Sequence, residues 1–147
     1  MTYGRFDQPK TRTTIEGQAP PEQLRFSPDD KWIAADTNIG GRRQVTVRPF
    51  APTGPVVNIT PRGGSMPVWA LRGSTIFYQR DQEIVAVRYS VPGGRFIVDG
   101  EDVVVQLPQP FILIGLAPDG KFLVGLITPG QQLDVRVVVN WFRELPR

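Results

Sequence analysis

Several stretches of this chain are apolar at consecutive positions where a half-exposed strand would alternate, among them "WIAA" (32–35), "TIFY" (75–78), "IVAV" (84–87) and "FILI" (111–114). A strand with one wet face reads as strict alternation. Continuous apolar runs of this length, bounded by turn residues, read as strands covered on both faces. They fall into a repeating order. A short strand leads ("EQLRF", "SMPVW", "FILIGL"), a second follows after a turn ("KWIAADT", "STIFYQ", "KFLVGLI"), and then a third ("QVTVRPF", "EIVAVRYS", "DVRVVVNWF"). Weaker fourth strands are predicted at "GPVVNIT" and "EDVVVQL", the latter after a loop "VPGGRFIVDG". The third copy has no fourth strand before "NWFRELPR". Ahead of the first copy, "YGRF" and "TRTTIEG" read as the last one or two strands of a preceding unit.

The turn between first and second strands sets the frame. Phe26, Trp69 and Leu116 stand before it, at spacings of 43 and 47 residues. In "SPDD" and "APDG", Pro28 and Pro118 supply the fixed φ near −65° of a type I turn, with Asp29 and Asp119 at the next position. Asp30 and Gly120 then fall where the backbone tends to positive φ, which glycine adopts freely and aspartate better than most residues. The middle copy replaces Pro and Asp by Leu71 and Arg72 but keeps Gly73. Units of 40 to 50 residues built only of strands point to four-stranded propeller blades. A β-sandwich also uses many short strands, but the turn recurring at blade spacing favours the propeller. The expected architecture is all-β. It is a single domain, residues 1–147, forming a partial β-propeller of about three four-stranded antiparallel blades plus a partial one. Residues 1–20 are the remnant of a preceding blade, 21–61 and 62–108 are blades, and 109–147 are a last blade lacking its fourth strand.

Composition narrows the chemistry. Gly and Pro number 15 each in 147 residues, which leaves little room for long helices. Cysteine and histidine are absent. A disulfide framework, thiolate chemistry, a Ser-His-Asp machine and a His-ligated zinc site are therefore all unavailable. The net charge of +3 comes from scattered arginines, with Lys10, Lys31 and Lys121 the only lysines. Scattered arginine is the pattern of solvated strand faces, not of a nucleic-acid footprint. No run approaches the roughly 18 apolar residues of a membrane helix, so direct membrane insertion is not expected. The segment "MTYGRFDQPKTRTT" lacks the apolar core of a signal peptide.

Three features invite a functional reading. "GGRRQ" (Gly40–Gln44) pairs two glycines with two arginines, which could form an anion nest; as a hairpin loop between two strands it needs no ligand. "DGED" (Asp99, Gly100, Glu101, Asp102) sets three carboxylates in four residues. It misses the spacing of a calcium loop and is expected as an acidic turn before "VVVQL". Trp32, Trp69 and Trp141, with Phe26, Phe77, Phe122 and Phe142, recur beside the turns as core packing between units, not as a ligand platform. "NWFREL" is expected to leave the last strand as a short cap.

The frames "FSPDDKWIA" and "LAPDGKFLV", the series "KWIAADTNIGGRRQVTVRPF" and "GGSMPVWALRGSTIFY", and the ending "VVVNWFREL" resemble the TolB-like, WD-repeat-like (PD40) β-propeller repeats of bacteria. The likeness is to the C-terminal part of propellers found behind bacterial serine/threonine kinase domains, and it spans about Arg12 to Leu145. Full members close a ring of six or more blades, about twice what this chain supplies. The kinase signatures are absent. The resemblance implies a non-catalytic scaffold that binds a protein or peptide, a piece of a larger TolB-like protein. It implies no catalytic, cofactor-binding or metal residues and no cofactor, and it favours a periplasmic or extracellular setting. Its alternative is an accessory sensor or substrate-positioning domain of a kinase or a propeller-containing peptidase. Uncovered sheet faces at the ends of an open stack also make self-association that completes the propeller an expectation.

Overall fold

The computed structural model describes residues 2–5, 8–14, 23–51, 54–127, 130 and 134–140. Within them the chain is all-β apart from one 3-10 turn at Pro92–Gly94. A short N-terminal hairpin pairs β1 (Thr2–Arg5) with β2 (Gln8–Thr14). Three antiparallel meanders follow, each made of strands consecutive in sequence. The first joins β3 (Gln23–Phe26), β4 (Trp32–Ile39), β5 (Arg42–Pro49) and β6 (Val57–Asn58). The second joins β7 (Ser65–Trp69), β8 (Thr75–Arg80), β9 (Glu83–Ser90) and β10 (Ile97–Gln106). The third joins β11 (Phe111–Leu116), β12 (Lys121–Leu126) and β13 (Asp134–Asn140).

The middle sheet explains the unbroken apolar runs. Ile76, Tyr78, Val85 and Val87 pack with Ala34, Val45 and Val47 of the first sheet. Their sequence neighbours Phe77, Ile84 and Ala86 pack on the opposite side with Phe111, Leu113, Phe122 and Val124 of the third. Both faces are dry, so period-two alternation has nothing to distinguish. Phe77 meets Phe122 edge-on across the second interface, with ring centroids 4.9 Å apart and planes at 83°. Trp69 anchors the first interface: it is 5% exposed, sits edge-on to Tyr89, and donates its Nε1–H to the Arg25 carbonyl at 2.9 Å.

The turns take the geometry that the sequence predicts. Asp30 lies at φ 58°, and Gly73 and Gly120 at 78° and 85°. In the first turn the Asp29 carboxylate accepts from the Ser27 hydroxyl (2.6 Å) and the Lys31 amide (3.1 Å), and Ser27 Oγ accepts from Trp32 N. These bonds, the one from Ser27 foremost, hold Asp29 below the usual carboxylate range. The third turn is tighter by one residue: Ala117 N–H reaches the Lys121 carbonyl, whereas Ser27 N–H reaches Trp32. A one-residue slip reverses every side chain of the strand that follows. Trp32 and Ala34 accordingly face onward to the next sheet, while their counterparts in the frame, Phe122 and Val124, face back to the middle one.

Consecutive sheets are tied by the same device at the same place in the frame. Asp36 and Gln79 each stand four residues after the first residue of β4 and β8. Met66 and Leu113 each stand three residues before the pre-turn Trp69 and Leu116. Asp36 Oδ2 accepts from Met66 N–H at 3.0 Å, and Gln79 Oε1 accepts from Leu113 N–H at 2.9 Å. Gln79 also donates to the Phe111 carbonyl at 2.6 Å. In each case a polar side chain serves the first strand of the following sheet as a backbone partner would.

Three expectations are corrected. The segment "VPGGRFIVDG" is a loop only to Phe96, because β10 begins at Ile97. "DGED" is therefore not a turn. It lies inside β10, beside an irregularity between Val98 and Gly100. Phe26 is 44% exposed, on the outer face of the first sheet against Phe50, whereas Trp69, Phe77 and Phe122 are buried as core residues. Trp141, Phe142 and the "NWFREL" cap lie outside the described residues, as does the end of "TRTTIEG".

An arginine-lined cleft between two sheets

In a meander, alternate connections emerge at opposite ends. The β3–β4, β7–β8 and β11–β12 turns lie at one end of the sheets. The β4–β5 turn, the β6–β7 connection and the β8–β9 turn lie at the other. At this second end the first and middle sheets part into an open cleft of about 370 Å³, lined by Arg42, Arg43, Arg62, Gly63, Gly64, Ser65, Gln79, Arg80 and Asp81.

Local chemistry places each arginine. Gly40 and Gly41, both at positive φ, close the two-residue turn between β4 and β5, the geometry that such hairpins require. "GGRRQ" is thus the hairpin loop expected of it, and the turn delivers Arg42 and Arg43 to the cleft wall. Arg43 Nε–H donates to Asp36 Oδ1 at 3.2 Å, and that carboxylate is fully buried. The strut that joins the sheets therefore also fixes an arginine. Arg62 arrives on the β6–β7 connection, which is laced to β5 by Ile59 N–H to Val45 O, Gly64 N–H to Arg43 O, and Val45 N–H to Thr60 Oγ1. The connection crosses close over the middle sheet at Gly64. A Cβ there would lie 2.5 Å from the Tyr78 ring, so only glycine fits.

Glu101 organises the far wall. Its carboxylate accepts from Tyr78 Oη at 3.0 Å, from Arg80 Nη1 at 3.3 Å and from Arg62, and Arg80 also pairs with Glu83. Partial burial pushes the Glu101 carboxyl up, but the hydrogen bonds from Tyr78, Arg80 and Arg62 outweigh it and hold the group below its ordinary value. Tyr78 moves the other way: burial first, then its hydrogen bond to Glu101 and that residue's charge, push the phenol up to about 12. The three acids of "DGED" serve three separate partners. Asp99 accepts from Ser90 Oγ, Asp102 pairs with Arg88, and Glu101 holds the cleft arginines.

Arg42 differs from its neighbours. Its stem lies over Gly63, where an added Cβ would approach the Arg42 Cδ to 3.3 Å. Among the described residues its guanidinium has no carboxylate partner. The cleft is thus a polar, basic recess whose walls are rigid ladders and whose arginines are mostly held in place by buried or half-buried acids. Such an arrangement can recognise an anion. Sequence reasoning singled out Arg42 and Arg43, named Glu101 only as part of an acidic turn, and missed Arg62 and Arg80; the set comes together only when the two sheets stack.

No protein-family model, curated protein or solved structure matches this chain.

Proposed function

We propose that the chain is a run of β-propeller blades serving as a non-catalytic scaffold, and that it binds a protein or peptide partner at the end bearing the arginine-lined cleft. The blade reading is supported by three consecutive meanders in which β7 packs against β3, β4 and β5, and β11 against β7 and β8. It is also supported by the strut repeated at Asp36 and Gln79. Turns carried on rigid ladders are where proteins tend to place binding surfaces. The observation that carries the binding role is the cleft itself, an open polar recess between two sheets with most of its charged groups already fixed. Binding at such a site loses little side-chain entropy.

The test is amide chemical-shift mapping of the isotopically labelled chain against a peptide set of acidic, basic, apolar and mixed composition. Saturable shifts at residues 40–43, 62–65 and 79–82 are expected for at least one composition. Shifts confined to the Pro-Asp turns, or none with any peptide, would refute the role assigned to this end.

A further inference from the structure

Resting on that reading, we propose that the cleft selects carboxylate groups, and that its ligand is an acidic peptide segment of a protein partner that seats a glutamate or aspartate on Arg42. The wall already displays this chemistry three times. Asp36 sits on Arg43, Glu101 on Arg62 and Arg80, and Glu83 on Arg80. Arg42 is the cleft arginine to which the described residues bring no carboxylate, and its stem is laid along Gly63 so that the guanidinium stays at the recess. A planar fork of donors to which the described residues bring no carboxylate fits one incoming carboxylate in bidentate fashion.

The surroundings favour a short acidic peptide over a nucleic acid. Among the described residues no aromatic side chain lines the cleft, so bases find no stacking platform there. Arg43, Arg62 and Arg80 are already paired with Asp36, Glu83 and Glu101, so a polyphosphate backbone finds no continuous basic track to follow, whereas a single carboxylate needs only the Arg42 fork. A volume of about 370 Å³ lies at the small end of the range for ligand pockets, enough for one or two acidic side chains of an extended segment. Because the walls are polar, affinity comes from charge-assisted hydrogen bonds with little apolar burial. It should be modest and should weaken with added salt.

The experiment titrates the full chain by calorimetry with a blocked hexaglutamate peptide, alongside hexaglutamine, inorganic phosphate and a twelve-nucleotide single-stranded DNA, at low and physiological salt. The expected result is saturable binding of hexaglutamate, none of hexaglutamine, and weaker binding as salt rises. R42Q should weaken binding about ten-fold, the loss of one bidentate charge-assisted contact. R42Q should melt with the parent, because Arg42 is exposed and holds no other described side chain. R42K should restore only part of the affinity, since an ammonium lacks the fork. Equal binding of hexaglutamate by R42Q and the parent would overturn the proposal, as would tighter binding of phosphate or the oligonucleotide. If peptides of other composition shift the cleft residues while hexaglutamate does not, the carboxylate preference is wrong and the scaffold reading stands. If nothing shifts them, both are wrong.

Discussion

Replacing Trp69 by alanine removes the largest buried side chain at the interface of the first and middle sheets. The indole is 5% exposed among Ala34, Val45, Val47, Ile76 and Val87, between two ladders that cannot close over the space without breaking strand pairing. Truncating a buried tryptophan costs about 3–5 kcal/mol through lost transfer free energy and the cavity left behind. The Arg25 carbonyl also loses the indole N–H that it accepts at 2.9 Å, a further ~1 kcal/mol for the net worth of that hydrogen bond. The sum, about 4–6 kcal/mol, is a large part of the ~5–15 kcal/mol that holds a domain of this size together. At about 3 °C per kcal/mol, the melting temperature followed by far-ultraviolet circular dichroism should fall by about 10–20 °C. Trp69→Phe separates the terms. It keeps most of the ring and loses the hydrogen bond, so a fall of about 3–8 °C is expected, on the order of 1–2.5 kcal/mol. A shift below about 3 °C for Trp69→Ala would refute the claim that the two sheets share a packed core at this point.

Gln79→Leu removes both bonds from the middle sheet to β11 and leaves Leu113 N–H and Phe111 O without that partner; a loss of about 1–3 kcal/mol in urea unfolding is expected, and none would show that the strut carries no load. Asp30→Gly relieves a positive φ of 58° at a position where the other two turns already carry glycine; the melting temperature should rise by about 1–3 °C, and a fall would contradict the turn assignment. Tyr78 has its folded phenol at about 12 against 10.0. The native state therefore holds its proton more tightly, and stability falls as pH rises from about 10 through about 12. Denaturation midpoints across that range should fall less steeply in Tyr78→Phe than in the parent, and parallel curves would count against the assignment.

The strands were legible because their covering is symmetrical. Runs such as "TIFY" have no polar position to betray a wet side, and the buried runs of β8 and β9 have none. The turns were legible because positive φ selects for few residues, and Asp30, Gly73 and Gly120 recur at one place in the frame. The facing of β12 was not. The frame aligns Phe122 with Trp32 by count, yet a turn tighter by one hydrogen-bonded residue sends Phe122 back to the middle sheet. No residue type marks that difference, because "SPDDK" and "APDGK" both satisfy a type I turn. "DGED" misled in the same manner. Glycine among acids reads as a turn, but Gly100 lies in β10 against the Arg88 guanidinium, where a Cβ would come within 2.6 Å. The glycine sits within a strand and makes no chain reversal.

The cleft was half legible, and the half that was missed follows from what a linear motif can carry. Arg42 and Arg43 are adjacent, so "GGRRQ" displays them. Arg62 and Arg80 are isolated residues on separate segments, and Glu101 lies 39 residues beyond the arginine that it holds. What relates them is the stacking of sheets, and the sequence gives that relation one faint trace: Asp36 and Gln79, polar residues in otherwise buried strands, at matching places four residues into the second strand of each unit. A buried polar side chain needs a partner, and in both units the backbone of the next sheet provides it. In the first unit that choice has a second consequence. A carboxylate at position 36 attracts Arg43 where an amide at 79 attracts no charge. The charge of the strut therefore ties one arginine into the first junction and none into the second. Exchanging Asp36 for glutamine should leave the sheets joined while removing the ion pair to Arg43.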